Sequence, residues 1–262
     1  MTDVSIVIIT WKMKQLLEVV LNTIKEFTID LNYELILIDN NSQDGTSEMI
    51  KEHHSEAVLI ENSKNMGVAP ARNQGLKIAK GKYILILDAD MELVENTIKK
   101  LYDFMENNPD CGLVGSKLVD TKRQLQFSCK KFPTATSLIL RRLEHFDFSK
   151  NSETYKKHIM SDWDHKEIRE VDYVIGACQF FRRDVIGRIG YYDEHIFYGP
   201  EDLDFCLRVW RAGWKVVYNP ETFIIHHEQR ITKKKLFSSI TFKHIKGIFY
   251  IFRKYNGKLT RN

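Results

Sequence analysis

The chain has 262 residues, 43% of them hydrophobic, which is enough to bury a full core and excludes disorder as the dominant state. A formal net charge of +4 is too small an excess to mark a nucleic-acid binder. Cys111, Cys129, Cys178 and Cys206 lack C-x-x-C spacing, so they indicate reduced thiols in a cytoplasmic core and not a zinc ribbon or a disulfide framework.

The opening, MTDVSIVIITWK, has a short apolar run without a basic lead or a cleavage site, and reads as a first strand and not a signal peptide. No apolar stretch approaches the ~20 residues of a membrane-spanning helix. From Val4 to Val119 strand and helix patterns alternate, from VSIVII and LLEVVLNTIKEF through to TIKKLYDFMENN and GLVGSKLV. Such alternation predicts an α/β fold with a mostly parallel sheet, its strand C-termini on one edge.

Thr10 and Trp11 follow the first strand, with no G-x-G-x-x-G behind them. The indole either offers a face for a base to stack on or packs against the next helix. ELILID ends on Asp39, followed by the turn-rich NNSQDG; Asp39 is placed to accept from a base N–H, or Asp39 and Asp44 cap the turn and helix. In NMGVAPARN, Gly67 permits a tight turn and Arg72 falls just inside a helix, exposed or reaching a phosphate.

YILILDAD closes on Asp88-Ala89-Asp90. Two carboxylates at a strand's carboxyl end suit a divalent cation that bridges a diphosphate, although Asp also ends strands as a turn former.

Between Asp120 and Val171 the periodicity fades, as in a functional or mobile segment. Order returns with VDYVIGACQFFRR as a strand, DVIGRIG as a short helix, EDLDFCLRVWRAG as a helix closed by Gly213, and KVVYNP and FIIHHE as two strands. Leu203, Leu207 and Trp210 have inward-facing spacing on the acidic-headed helix. Glu201, Asp202 and Asp204 either satisfy its dipole or, held by Gly199-Pro200, supply a general base. His226 or His227 is a suitable third ligand beside the D-x-D, since strand alternation lets one of the two face it. The tail after Gln229 is basic and aromatic.

The ordered set VSIVIITWK, ILIDNNSQDGT, NMGVAPARNQGLKIAKGKYILILDAD, the GACQFF to PEDLDFCLR block, RAGWKVVYNP and IIHH resembles the family 2 glycosyltransferases of the GT-A fold, nearest their rhamnosyltransferase-like bacterial branch. The resemblance covers Val4 to Glu228. It implies a catalytic domain over 1–228, with a nucleotide-sugar half (1–119) and an acceptor half (120–228), followed by a helical tail at 229–262. It implies inverting transfer from a nucleoside-diphosphate sugar to a hydroxyl of a saccharide or lipid-linked acceptor, in cell-surface polysaccharide synthesis. Thr10, Trp11 and Asp39 are implied at the base, Arg72 at the diphosphate, Asp88 and Ala89 at the nucleotide, and Asp90 with His226 on Mn²⁺ or Mg²⁺. Asp202 is the implied base, Glu201 its neighbour, and Gly176, Ala177 and Cys178 the implied acceptor side.

The first strand here is followed by Thr10-Trp11 where members often carry Tyr-Asn, and the 120s to 160s carry no family signature. Two other classes share such a nucleotide site: a non-catalytic nucleotide-sugar-binding module, and a nucleotidyltransferase, which needs a glycine-rich phosphate loop that VSIVII lacks. The stretch 233–255 predicts peripheral attachment to an anionic inner membrane face, through Phe237, Ile240, Ile245, Ile248, Phe249 and Phe252 with Lys233, Lys234, Lys235, Lys243, Lys246, Arg253 and Lys254. The alternative is a helix packed on the catalytic domain or on a second copy in an oligomer.

Overall fold

A computed structural model describes residues 2–143, 146–228 and 239–261. The first half runs β1 (Val4–Thr10), α1 (Lys14–Phe27), β2 (Tyr33–Asp39), α2 (Thr46–His53), β3 (Val58–Glu61), α3 (Val68–Ile78), β4 (Tyr83–Asp88), β5 (Met91–Leu93), α4 (Thr97–Asn107) and β6 (Cys111–Val119). The weakly patterned segment holds β7 (Leu125–Gln126), β8 (Cys129–Lys130), α5 (Ala135–Arg142), α6 (Asp147–Asn151), α7 (Glu153–Ile159) and β9 (Arg169–Glu170). There follow β10 (Tyr173–Val174), β11 (Cys178–Arg182), α8 (Arg183–Ile189), α9 (Glu201–Arg211), β12 (Lys215–His226) and α10 (Ser239–Lys254).

The central sheet has the order β3-β2-β1-β4-β11-β6-β12-β5, with β7 on β6 and β9 on β12; β8 and β10 form a separate pair. Strands β3, β2, β1 and β4 are parallel, as β6 and β12 are, while β11 inserts antiparallel between β4 and β6. Both faces are covered. Ile6, Ile8, Leu35, Leu37, Leu85 and Leu87 alternate toward a core under α1 and α4. Val7, Ile36, Ile38, Ile84 and Ile86 face a second core shared with α3 and α9. Near-continuous apolar runs are what a sheet buried on both sides requires.

Three elements depart from the sequence expectation. VDYVIGACQFFRR is two strands and not one, because the chain turns at Gly176 and Ala177, where both backbone polar groups of Gly176 leave the ladder for side chains of the site. KVVYNP and FIIHHE are one strand, β12, whose register on β6 shifts between Asn219 and Phe223; Pro220 lies in that gap and has no N–H to donate. Leu203 and Leu207 are buried as expected, whereas Trp210 is half-buried, its indole N–H shared by the carbonyls of Val171 and Asp172.

Helix α10 docks on the body formed by the sheet and its covering helices. Ile251 enters the second core and Lys254 pairs with Asp193 and Asp204, each at 2.7 Å. The expected single apolar side is therefore divided: Phe252 packs on the domain while Phe249 faces outward. Lys254 faces the protein and not a lipid surface. Lys233, Lys234, Lys235 and Phe237 lie outside the described residues, as does the side chain of Ile240. Among the described residues, no helix is long and apolar enough to cross a membrane.

Candidate functional site

Strand register assembles the site. Thr10 pairs with Asp39, Ile9 with Asp88 and Asp39 with Glu61, so the acids that end β2 and β4 stand on one carboxyl edge with the end of β1 between them. Open α/β sheets bind ligands at that edge.

Past Asp88 the chain turns through Ala89 and Asp90 into β5, which pairs antiparallel with β12 and sets His226 opposite Met91. His226 Nε2 then lies 3.5 Å from Asp90 Oδ1, and its Nδ1 is 2.7 Å from Gln126 Oε1. Strand alternation sends His227 the other way, to Glu92 at 2.7 Å. Burial disfavours the His226 imidazolium, but Asp90 and Asp88 outweigh it and raise its pKa above the ordinary value. An oxygen donor beside an imidazole held through its second nitrogen fits Mn²⁺ or a similar ion. Among the described residues no third His, Cys, Asp or Glu joins them, so an ion held by this pair would need its further ligands from a bound molecule or water.

Arg72 is 3% exposed and ties three elements together. Its guanidinium donates to Asp88 at 2.9 Å, to Glu201 at 3.1 Å and to the Gly176 carbonyl at 2.7 Å. A Cβ on Gly176 would come within 2.5 Å of Arg72 Nη1, so only glycine admits this approach. The guanidinium is thus committed to the protein's own carboxylates.

Helix α9 begins at Glu201, directly after Gly199-Pro200. Glu201 is buried and also accepts from the Gly199 N–H at 2.8 Å. Burial raises its pKa despite Arg72. Asp202 is half-buried and accepts from the N–H groups of Gly176 at 3.0 Å and Leu203 at 2.7 Å. Desolvation raises its pKa, against the opposing pull of Lys130 and those two N–H groups. A carboxylate raised in this way and still partly open is suited to general-base work.

At the other end of the edge, Asp39 is buried and accepts from Ser42 N–H at 2.9 Å and Ser47 Oγ at 2.6 Å, so it closes the turn into α2. Asp44 likewise caps, through Thr46. Trp11 is half-buried beneath Lys12, and Thr10 Oγ1 is buried without a hydrogen-bond partner among the described residues. Gly176, Ala177 and Cys178 are all buried; the Ala177 carbonyl accepts from Asp88 N–H at 3.0 Å, joining β11 to the end of β4.

Sequence reasoning missed three contributors. Asn40 bonds Asn62, Asn65, Met66 N–H and the Gly67 carbonyl, which pins the loop before α3 to the sheet edge. Its local signal was an Asn inside a turn-rich run. Gln126 orients His226 across 100 residues of sequence, and Lys130 is a buried cation near Asp202. Both lie where periodicity fades, and no local pattern marks them.

Residues 5–190 match the model of the family described as Glycosyl transferase family 2. The N-acetylglucosaminyl-diphospho-decaprenol L-rhamnosyltransferase of Mycobacterium tuberculosis is 23% identical over 236 residues, 85% of this chain and 76% of that one. The chondroitin synthase of Escherichia coli is 25% identical over 224 residues, 80% of this chain and 32% of that one. A mannosyltransferase of Pyrobaculum calidifontis, solved with GDP-Man and Mn²⁺, superposes with a TM-score of 0.63 at 19% identity. The match covers 97% of this chain but only 64% of the mannosyltransferase, and it shows a shared GT-A architecture. With its family match spanning most of the sheet and the D-x-D edge, the chain belongs to glycosyl transferase family 2, as a glycosyltransferase.

Proposed function

We propose that the protein transfers a sugar from a nucleoside-diphosphate donor to a hydroxyl of a saccharide or lipid-linked acceptor, with inversion, in polysaccharide synthesis. The observation that carries this reading is Asp202: a partly open carboxylate with a raised pKa, fixed by two backbone N–H groups beside the D-x-D edge. Relatives named as a diphospho-lipid rhamnosyltransferase and a chondroitin synthase support the acceptor class.

In this reading the donor lies along the edge from Trp11 and Asp39 to Asp90. Asp90 and His226 would hold Mn²⁺ or Mg²⁺, which would offset the charge on the diphosphate leaving group. Arg72 positions Asp88 and Glu201 by its three hydrogen bonds. Asp202 takes the proton from the acceptor hydroxyl as that oxygen attacks the anomeric carbon from the face opposite the diphosphate, a single displacement that inverts the centre. A non-catalytic module or a nucleotidyltransferase is not favoured by the family match.

Asp202→Asn tests the base. Transfer falls by about 10²-fold or more, the usual scale of general-base loss, while calorimetric donor binding is kept. Asp90→Ala loses Mn²⁺-dependent donor binding. Wild-type turnover by Asp202→Asn would end the assignment.

Attachment to an anionic membrane surface is proposed through the outer face of α10. Phe242 and Phe249 are 62% and 73% exposed there, with Lys246 and Arg253 exposed beside them. Aromatic residues flanked by basic ones match an anionic headgroup layer.

A further inference from the structure

Lys130 is a buried cation that no carboxylate of the described residues approaches within ion-pair distance. It ends β8, opposite Tyr173 on β10, and is 8% exposed. Among the described residues its ammonium makes no hydrogen bond or ion pair, and it lies 6.0 Å from the centroid of the Tyr173 ring. The other buried cation of the site, Arg72, pairs with Asp88 and Glu201 through its two terminal nitrogens. A buried charge without a partner costs several kcal/mol, so such a lysine either gives up its proton or takes a counter-charge from a ligand.

The surroundings say which charge. Arg141 on α5 is the strongest electrostatic neighbour and has the same sign; Asp202 and Glu228 follow, both beyond ion-pair distance, then the Cys129 thiol. Burial and Arg141 together lower the ammonium pKa to about 7, the mark of a cation short of anions. Two like charges that repel one another near Asp202 favour an anion that can pair with both. The neighbours are those of the catalytic base, and Lys130 and Arg141 come from the segment between β6 and β10, not from the strands β1, β2 and β4 that carry Thr10, Asp39 and Asp88.

We propose that Lys130 and Arg141 form a subsite for a phosphate or diphosphate group carried by the acceptor, holding it so that the acceptor hydroxyl meets Asp202. This rests on the glycosyltransfer reading and deepens it, by making the acceptor anionic and not a neutral saccharide.

Calorimetry of the full chain in EDTA, with farnesyl diphosphate, inorganic pyrophosphate and farnesol as probes, tests it. The two diphosphates bind and farnesol does not. Lys130→Met and Arg141→Gln each weaken diphosphate binding by about tenfold or more, the worth of one charge-assisted contact, and Lys130→Arg stays near wild type. Unchanged thermal melting of Arg141→Gln and Lys130→Arg separates these losses from misfolding. If wild type binds no diphosphate in EDTA, or Lys130→Met and Arg141→Gln bind it as wild type does, the subsite is overturned.

A second titration adds farnesyl diphosphate to protein saturated with a nucleoside diphosphate and Mn²⁺. Binding that persists supports an acceptor subsite, and displacement assigns the anion to the donor and overturns it. If no nucleoside diphosphate binds at all, the donor reading fails, while the EDTA titrations still decide whether Lys130 and Arg141 hold an anion.

Discussion

At the scale of single residues, Arg72 carries the most weight. One guanidinium serves Asp88 on β4, Glu201 on α9 and the Gly176 turn, so its removal strands two carboxylates and a carbonyl at once. Arg72→Met is expected to cost about 3–5 kcal/mol in urea unfolding, the scale for breaking a buried ion pair. Arg72→Lys recovers only part of that, because a point charge cannot span three acceptors in a planar fork. Equal stability of wild type and Arg72→Met would show that the site acids do not depend on this contact. Arg72 also illustrates what a sequence conceals. The helix position of an arginine is readable, but whether it faces water, phosphate or two acids 16 and 129 residues away is not.

At the scale of elements, α10 and the start of α9 act as one unit. Gly199 has φ +125°, a region that favours glycine, and a Cβ there would lie 2.1 Å from the His244 ring. Lys243 covers the Phe197 ring at 3.4 Å, and Pro200 approaches Gly247. The loop that presents Glu201 and Asp202 is thus clamped by the C-terminal helix. The clamp is electrostatic at its far end: Asp193 is partly buried, yet Lys254, His195 and Tyr250 hold its pKa well below the ordinary 3.8. The folded state therefore binds this proton less readily than the unfolded chain, and the resulting stability is present above pH 3.8 and fades as pH falls below it. Hydrogen exchange between pH 6 and 3 is expected to show α10 amides losing protection at the acid end before β1 and β4 do. Asp193→Asn shows that loss already at pH 6. Uniform loss across sheet and helix would refute a separately titrating clamp.

At the scale of the whole molecule, one edge of the sheet gathers the acids of the proposed site and α10 presents Phe242 and Phe249 outward. Flotation with vesicles containing anionic phospholipid is expected to carry the wild-type protein, while a Phe242→Ser/Phe249→Ser variant stays behind. Added salt weakens the wild-type interaction, since part of it is screened charge. Equal flotation of both proteins would remove this face from membrane contact.

The sequence by itself determined the alternation of strands and helices, the buried sheet and the acids at the ends of β2 and β4, because each is a local pattern of apolar spacing closed by a polar stop. It also carried the pairing of Glu201 with Asp202 at a helix start. Only the tertiary structure decided that His226 and not His227 meets Asp90, because the choice depends on which face of β12 turns toward β5. The antiparallel insertion of β11, the docking of α10 and the burial of Lys130 beside Asp202 were likewise decided by long-range pairing. Such contacts leave no periodic trace, since a residue's neighbours across a sheet or a turn are set by register and packing and not by its position in the chain.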